Sequence, residues 1–162
     1  GGGWTKGETT NAEVVSRALA AIEDNDVGYY EPRVGDAFDI GPREIAVIHP
    51  SALAGSTNNN SIAMRLQYGA ISFLFTDDGE EQAEQDMLSR KENVQADILQ
   101  DAHHRSKRST SEQLVQAVNP EIVIYSASAN NQYGHPHPEF INPDQHQNAE
   151  FYCTAIPGQL AG

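Results

Sequence analysis

Ile62-Ala63-Met64-Arg65-Leu66-Gln67-Tyr68-Gly69-Ala70-Ile71-Ser72-Phe73-Leu74-Phe75 is the stretch that decides the fold. Residues 62–66 alternate, Tyr68-Gly69 supplies a turn, and 71–75 return rich in β-branched and aromatic side chains. That pattern predicts a β-hairpin. Downstream, Gly79 to Arg90 is rich in Glu and Gln and reads as a helix. Ala96-Asp97-Ile98-Leu99 reads as a short buried strand. Ser109-Thr110-Ser111-Glu112 opens a second helix, with Leu114, Val115 and Val118 on one face and Pro120 at its end. Ile122-Val123-Ile124-Tyr125 is another strand. From Asn130 the chain is polar until Phe151–Ala155, which suggests a last strand. Upstream, Thr10-Asn11-Ala12-Glu13 has the form of a capping box. It opens a helix from Asn11 to Glu23, whose apolar face carries Val14, Val15, Leu19 and Ile22. Asp24-Asn25-Asp26 ends that helix, Val34-Gly35-Asp36 is a turn, and Ile45–Ile48 is a short strand. Ser51–Asn60 reads as loop. Strands alternate with helices, so the class is α/β.

The chain of 162 residues fits one domain, 1–162. Its 23 acidic residues outnumber 10 basic ones, giving a formal net charge of −13. Lysine is restricted to Lys6, Lys91 and Lys107. An acidic, lysine-poor surface holds water and cations and suits concentrated salt, so a halophilic source is expected. Such a surface repels nucleic acid at low salt. In concentrated salt the repulsion is screened within a few ångströms, so charge alone does not exclude a nucleic-acid substrate. No apolar run is long enough to span a bilayer, and no signal-peptide pattern opens the chain. Cys153 is the single cysteine and cannot form an internal disulfide.

Three chemically capable clusters sit at the ends of expected strands: Thr76-Asp77-Asp78, His103-His104-Arg105-Ser106, and Tyr133-Gly134-His135-Pro136-His137. Strand ends of open α/β sheets are where ligands gather. A carboxylate and an imidazole brought together there can hold zinc. A bound metal lowers the pKa of its water. Each cluster also has a plainer reading. Asp78 before Gly79-Glu80-Glu81 fits a helix N-cap. A His-His pair is usually solvated, and Gly-His-Pro-His is usually a loop. Asn58-Asn59-Asn60 reads as loop punctuation, Lys107-Arg108 as a solvated face, and Tyr133 as a packing residue.

Taken in order, the clusters form a series. It runs Asn58-Asn59-Asn60-Ser61-Ile62, Phe73-Leu74-Phe75-Thr76-Asp77-Asp78 and Ala96-Asp97-Ile98-Leu99. It continues with His103-His104-Arg105-Ser106-Lys107-Arg108-Ser109-Thr110-Ser111 and Asn131-Gln132-Tyr133-Gly134-His135-Pro136-His137-Pro138-Glu139. The series resembles the C-terminal part of the metallo-β-lactamase domain of the ComEC competence-protein family and its free-standing hydrolase relatives. In that family the order is N-N-x-S, L-T-G-D, A-D-x-L-x-x-x-H-H-G-S and N-R-Y-G-H-P. The resemblance spans about Pro32 to Glu139, with 140–162 as a divergent tail.

The resemblance implies an αββα metallo-β-lactamase sandwich, of which only the C-terminal portion is present. It implies a metal-dependent hydrolase using zinc or manganese, two ions in an intact parent, on a phosphodiester, nucleic acid or small ester. Asp78 matches the carboxylate bridging two metals, and His104 matches an imidazole ligand. His103 matches a neighbour able to touch substrate. His135 matches a histidine that contacts phosphate or leaving group. Asn59 and Asn60 match residues beside the metal site, and Ser106 a loop-shaping hydroxyl.

The series also departs from the family. Its H-x-H-x-D-H motif, which supplies most metal ligands, has no counterpart, and the first histidine is His49. The opening Gly1-Gly2-Gly3 resembles the glycines that follow that motif, so the chain is expected to start just after it. Asp77 and Arg105 each stand where the family has glycine, a residue that serves special backbone angles. Arg105 offers a guanidinium suited to phosphate. With Asp78 and His104 alone, metal binding is expected to be weak and hydrolysis slight, because a catalytic zinc site takes about three protein ligands plus water. A degenerate, non-catalytic binding module is the alternative. A missing half-sandwich would bare apolar surface, so self-association is expected.

Overall fold

A computed structural model describes residues 2–4, 13–53, 56–101, 110–126, 149–154 and 159–161. The hairpin is its centre. β5 (Ala63–Tyr68) and β6 (Ile71–Phe75) pair antiparallel in the order Met64–Phe75 to Tyr68–Ile71. The two-residue loop places Gly69 first, at φ +59°, where a side chain is disfavoured and glycine is the usual choice. Outward on one side lie β4 (Arg43–His49) and β3 (Ala37–Ile40), both antiparallel. On the other side β7 (Ile98–Gln100), β8 (Ile122–Tyr125) and β9 (Glu150–Cys153) run parallel to β6. β10 (Gln159–Ala161) closes that edge antiparallel. The result is one eight-stranded mixed sheet, so the tail after residue 140 contributes two of its strands. A separate parallel pair joins β1 (Gly2–Trp4) to β2 (Gly28–Tyr30) through helix α1 (Glu13–Asp24).

Helices α2 (Glu81–Ser89) and α3 (Glu112–Val118) are the crossovers β6–β7 and β7–β8. Parallel neighbours joined by right-handed crossovers, taken in sequence, put both helices on one face. The packing agrees. Leu74, Leu99, Val123 and Phe151 align across β6–β9, and they share one buried cluster with Met87 of α2 and Leu114, Val115 and Val118 of α3. The other face carries Ile45, Leu66, Phe73, Ile98 and Ile122 in one register row. Because strand side chains alternate, both faces of the central strands are apolar, and each needs a cover.

The sequence reading meets the structure closely here. α1 ends at Asp24, one residue beyond the expected Glu23, while Thr10 of the capping box lies outside the described residues. β4 extends to Arg43–His49, beyond the expected 45–48, because Arg43 and Glu44 pair with Tyr68 and Gln67. β2, β3 and β10, three or four residues each, are too short for an alternating pattern to announce them. Asn58–Asn60, expected as loop, forms a short 3-10 turn.

Candidate functional site

β6, β7 and β8 are parallel, so their carboxyl ends lie along one edge of the sheet. The three clusters follow those ends in sequence. At the end of β6, Gly79 N–H donates to the Thr76 carbonyl at 3.1 Å, closing a tight turn over Asp77 and Asp78. Thr76 is buried and binds the next strand twice. Its Oγ1 donates to the Gln100 carbonyl at 3.0 Å, and its N–H donates to Gln100 Oε1 at 3.2 Å. Gln100 Nε2 in turn donates to the Asp101 carbonyl at 2.8 Å. The Asp101 N–H reaches the Ile124 carbonyl at 2.9 Å. The ends of three strands are thus stitched into one rim.

Within the turn, Asp77 holds φ +52°, the left-handed region. This explains why glycine suits the position and why aspartate, which tolerates that region better than most residues, can replace it. Gly79 is buried, and an added Cβ would lie 3.0 Å from the Thr76 carbonyl oxygen, so a side chain there would force the turn open. Asp78 is half-exposed. The N-cap reading of Asp78 is corrected: α2 begins at Glu81, the N-cap position falls on Glu80, and no side-chain cap bond is made there. Among the described residues no hydrogen bond or ion pair occupies the Asp78 side chain.

The amino end of α2 is instead held by the 3-10 turn. Asn59 Oδ1 accepts from the Ala83 N–H at 3.3 Å, while its Nδ2 donates to Ser56 Oγ at 3.1 Å and to Gln82 Oε1 at 3.4 Å. Asn58 Nδ2 donates to Glu80 Oε1 at 3.2 Å. Asn60 is buried. The structure therefore brings Asn58–Asn60 and the Asp78 turn to the same helix start. There the Asn59 amide serves α2 directly. Behind this turn, buried His49 lies with Nδ1 2.8 Å from the Ser61 carbonyl oxygen, which makes Nδ1 the protonated nitrogen. Its Nε2 is 3.7 Å from Asp86 of α2, a carboxylate that also accepts from Ser51 Oγ at 3.0 Å and pairs with Arg90 at 3.2 Å. Burial holds the His49 pKa below the usual histidine value, against the raising pull of the Ser61 carbonyl and Asp86.

His103, His104, Arg105, Ser106 and His135 lie outside the described residues. Among the described residues no three His, Cys, Asp or Glu side chains converge as a metal-ligand set. No helix among them is long and apolar enough to cross a membrane. Two contributors, Gln100 and Glu84, escaped the sequence reading. Gln100 takes both hydrogen bonds that Thr76 makes to the next strand, and only strand register reveals it. Glu84 of α2 is buried, and its carboxylate accepts the backbone N–H groups of Thr110 and Ser111. In sequence it is one acid in a polar run.

Comparison with known proteins gives these features a setting. The chain is 34% identical over 145 residues to ComE operon protein 3 of Bacillus subtilis, which is 89% of this chain and 19% of that protein. Over 103 residues it is 39% identical to the uncharacterized protein YcaI of Escherichia coli and 32% identical to recombination protein 2 of Haemophilus influenzae. This chain is a relative, over a fragment, of the ComEC-type competence proteins. It spans 19%, 14% and 13% of the lengths of those three relatives. No family model matches the chain. The homology to the competence proteins thus rests on individual relatives and on a stretch that includes the strand-end rim.

Proposed function

We propose that this segment is the C-terminal portion of a metallo-β-lactamase-type hydrolase domain, ComEC-like, that cleaves phosphodiester or related ester bonds with the help of zinc or manganese. The observation that carries the reading is Asp78. It is a half-exposed carboxylate on an ordered turn at the carboxyl end of β6, not used as a helix cap. The adjacent parallel strand β7 leads in sequence straight to His103-His104. The fold supports it as well. A sheet with helices on one face and an apolar second face has the form of half an αββα sandwich.

Asp78 and His104 would hold the metal. Bound there, a divalent ion supplies a Lewis acid and a water of lowered pKa. The residues of this chain would do the rest. Asp78 brings negative charge to balance the ion, and the Thr76–Gln100 bridge keeps its turn beside the end of β7. His103 and His135 would orient the scissile group. Arg105 would meet a phosphate with its planar guanidinium, and Ser106 would shape the loop. The substrate is an anion, and the acidic surface repels it except where the metal and Arg105 offset that charge.

The test is metal content after expression with zinc or manganese, for this chain and for a form extended at its amino end. The extended form is expected to hold close to two ions. Asp78→Ala and His104→Ala should each empty it. An extended form that takes up no metal would transfer the segment to the alternative, a non-catalytic binding module.

A further inference from the structure

At the end of the sheet opposite the strand-end rim, a cavity of about 370 Å³ opens between β5, β6, the residues leading into β7 and the end of α3. Its chemistry is set by Arg65, Ser72, Gln95, Asp97 and Asn119, and its apolar lining is confined to two alanines and one valine. The hairpin register puts Arg65 opposite Leu74, and Ser72 lies two residues before Leu74. Strand side chains alternate, so both share the helix-covered face with Leu74. Asp97 and Ser72 clasp each other. Asp97 Oδ2 accepts the Ser72 N–H at 2.6 Å and the Ser72 hydroxyl at 2.7 Å, and the Asp97 N–H donates to Ser72 Oγ at 3.1 Å. The Ser72 hydroxyl and N–H hold the Asp97 carboxyl below the usual carboxylate range, so it is charged at neutral pH. Arg65 is held as well: Nε donates to the Gln95 carbonyl at 2.8 Å, and Nη2 donates to Gln67 Oε1 at 2.9 Å.

Both charges keep unused bonding capacity. Among the described residues Asp97 Oδ1 accepts no hydrogen bond and Arg65 Nη1 donates none. Nor do the side-chain amides of Gln95 and Asn119 make a hydrogen bond among them. Arg65 and Asp97 line one cavity yet form no ion pair with each other. An anion and a cation fixed apart across a cavity match a ligand that carries the opposite pair, because a few placed polar groups set a ligand's identity and orientation. We infer that this cavity binds a small zwitterion of the α-amino-acid class, its ammonium bonded to Asp97 Oδ1 and its carboxylate to the Arg65 guanidinium, with the Gln95 and Asn119 amides beside them. The net charge of −13 repels a lone anion, whereas a zwitterion carries no net charge to be repelled. No aromatic side chain lines the cavity, so a nucleobase would find no stacking platform there. The inference stands apart from the hydrolase reading: Ser72 lies about 13 Å along β6 from Thr76.

The experiment titrates the full chain at pH 7 and constant ionic strength with three probes, followed by NMR. L-alanine carries both charges, propionate is the same molecule without the ammonium, and ethylamine is the same molecule without the carboxylate. L-alanine should shift the backbone resonances of Ser72, Asp97 and Asn119 and the Arg65 side-chain N–H saturably. Affinity for so small a ligand at an open site is expected at about 1 mM or weaker. Propionate and ethylamine should each bind about 10-fold more weakly or worse, the loss expected for one charge-assisted hydrogen bond. Arg65→Gln should bring L-alanine down to the affinity of ethylamine, and Asp97→Asn should bring it down to that of propionate. Asp97→Asn also loosens the clasp with Ser72; should that variant not fold, Arg65→Gln and the ethylamine comparison decide the matter alone. No saturable shift up to about 50 mM L-alanine would overturn the inference. So would L-alanine binding no tighter than its two halves, or an Arg65→Gln variant that binds it as wild type does.

Discussion

Asp77 shows how much one backbone angle explains. It stands at φ +52°, in the left-handed region that favours glycine. Replacing it with glycine removes strain and adds freedom to the unfolded chain, two effects of about 1 kcal/mol each that nearly cancel. Valine, branched at Cβ, suffers the strain without relief. Asp77→Val is therefore expected to be less stable than Asp77→Gly by at least about 1 kcal/mol in urea unfolding. Equal stabilities would show that the turn is not held as described. His49 makes a second case. Its folded pKa lies below the ordinary value of 6.5 because it is buried, with Ser61, Asp86 and Arg90 as its polar surroundings. Below pH 6.5 the unfolded chain then binds the proton that the folded chain refuses, so stability is lost as pH falls from 6.5 through the folded pKa. Urea midpoints at about pH 7.5 and pH 5 should differ more for wild type than for His49→Gln. An identical pH response would refute it.

At the scale of elements, helix starts decide the site. The Ser111 cap was legible in sequence, since Ser-Glu before an apolar periodic run is an N-terminal signature, and the Ser111 hydroxyl does accept the Leu114 N–H. The start of α2 was not legible. Asp78-Gly79-Glu80-Glu81 offers several capping registers, and the helix begins at Glu81 because the Thr76–Gly79 turn consumes the residues before it. The cap then comes from Asn59, distant in sequence, and no local pattern can announce that. Ser111→Ala and Asn59→Ala are each expected to cost about 1 kcal/mol in chemical denaturation. The Asn59 variant should also raise amide exchange at Ala83, the proton it binds. Unchanged exchange there would remove Asn59 from its structural role and leave it to substrate.

For the whole molecule, charge and apolar surface pull in opposite directions. On the sheet face away from α2 and α3, one register row ends in Ile40, Arg43, Tyr68 and Ile71, with Ile40 and Tyr68 51% exposed and Ile71 46%. The Arg43 guanidinium lies 5.6 Å from the centre of the Tyr68 ring. A net charge of −13 keeps copies apart at low salt. Raising salt from about 0.1 to 1 M shortens the screening length from about 10 to 3 Å. The melting temperature should therefore rise while self-association grows through the apolar face, as followed by sedimentation. Tyr68→Lys with Ile71→Lys should abolish the association and keep the thermal gain. A melting temperature that falls with salt would contradict the acidic-surface reading.

The hairpin, the α2 and α3 helices and the parallel strands were readable because alternation and helical spacing are local, and each repeats over several residues. The turn carrying Asp78 after β6 was readable because a Thr-Asp-Asp-Gly run directly follows an apolar strand pattern, while His103, His104 and His135 lie outside the described residues. What only the tertiary structure decided was which residues hold those ends together. Thr76 meets Gln100 because β6 and β7 are parallel neighbours. Asn59 reaches Ala83 across an intervening hairpin, and Glu84 reaches Thr110 and Ser111 across a crossover. Such contacts depend on register and packing between segments far apart in the chain, and a run of amino acids carries no local trace of them.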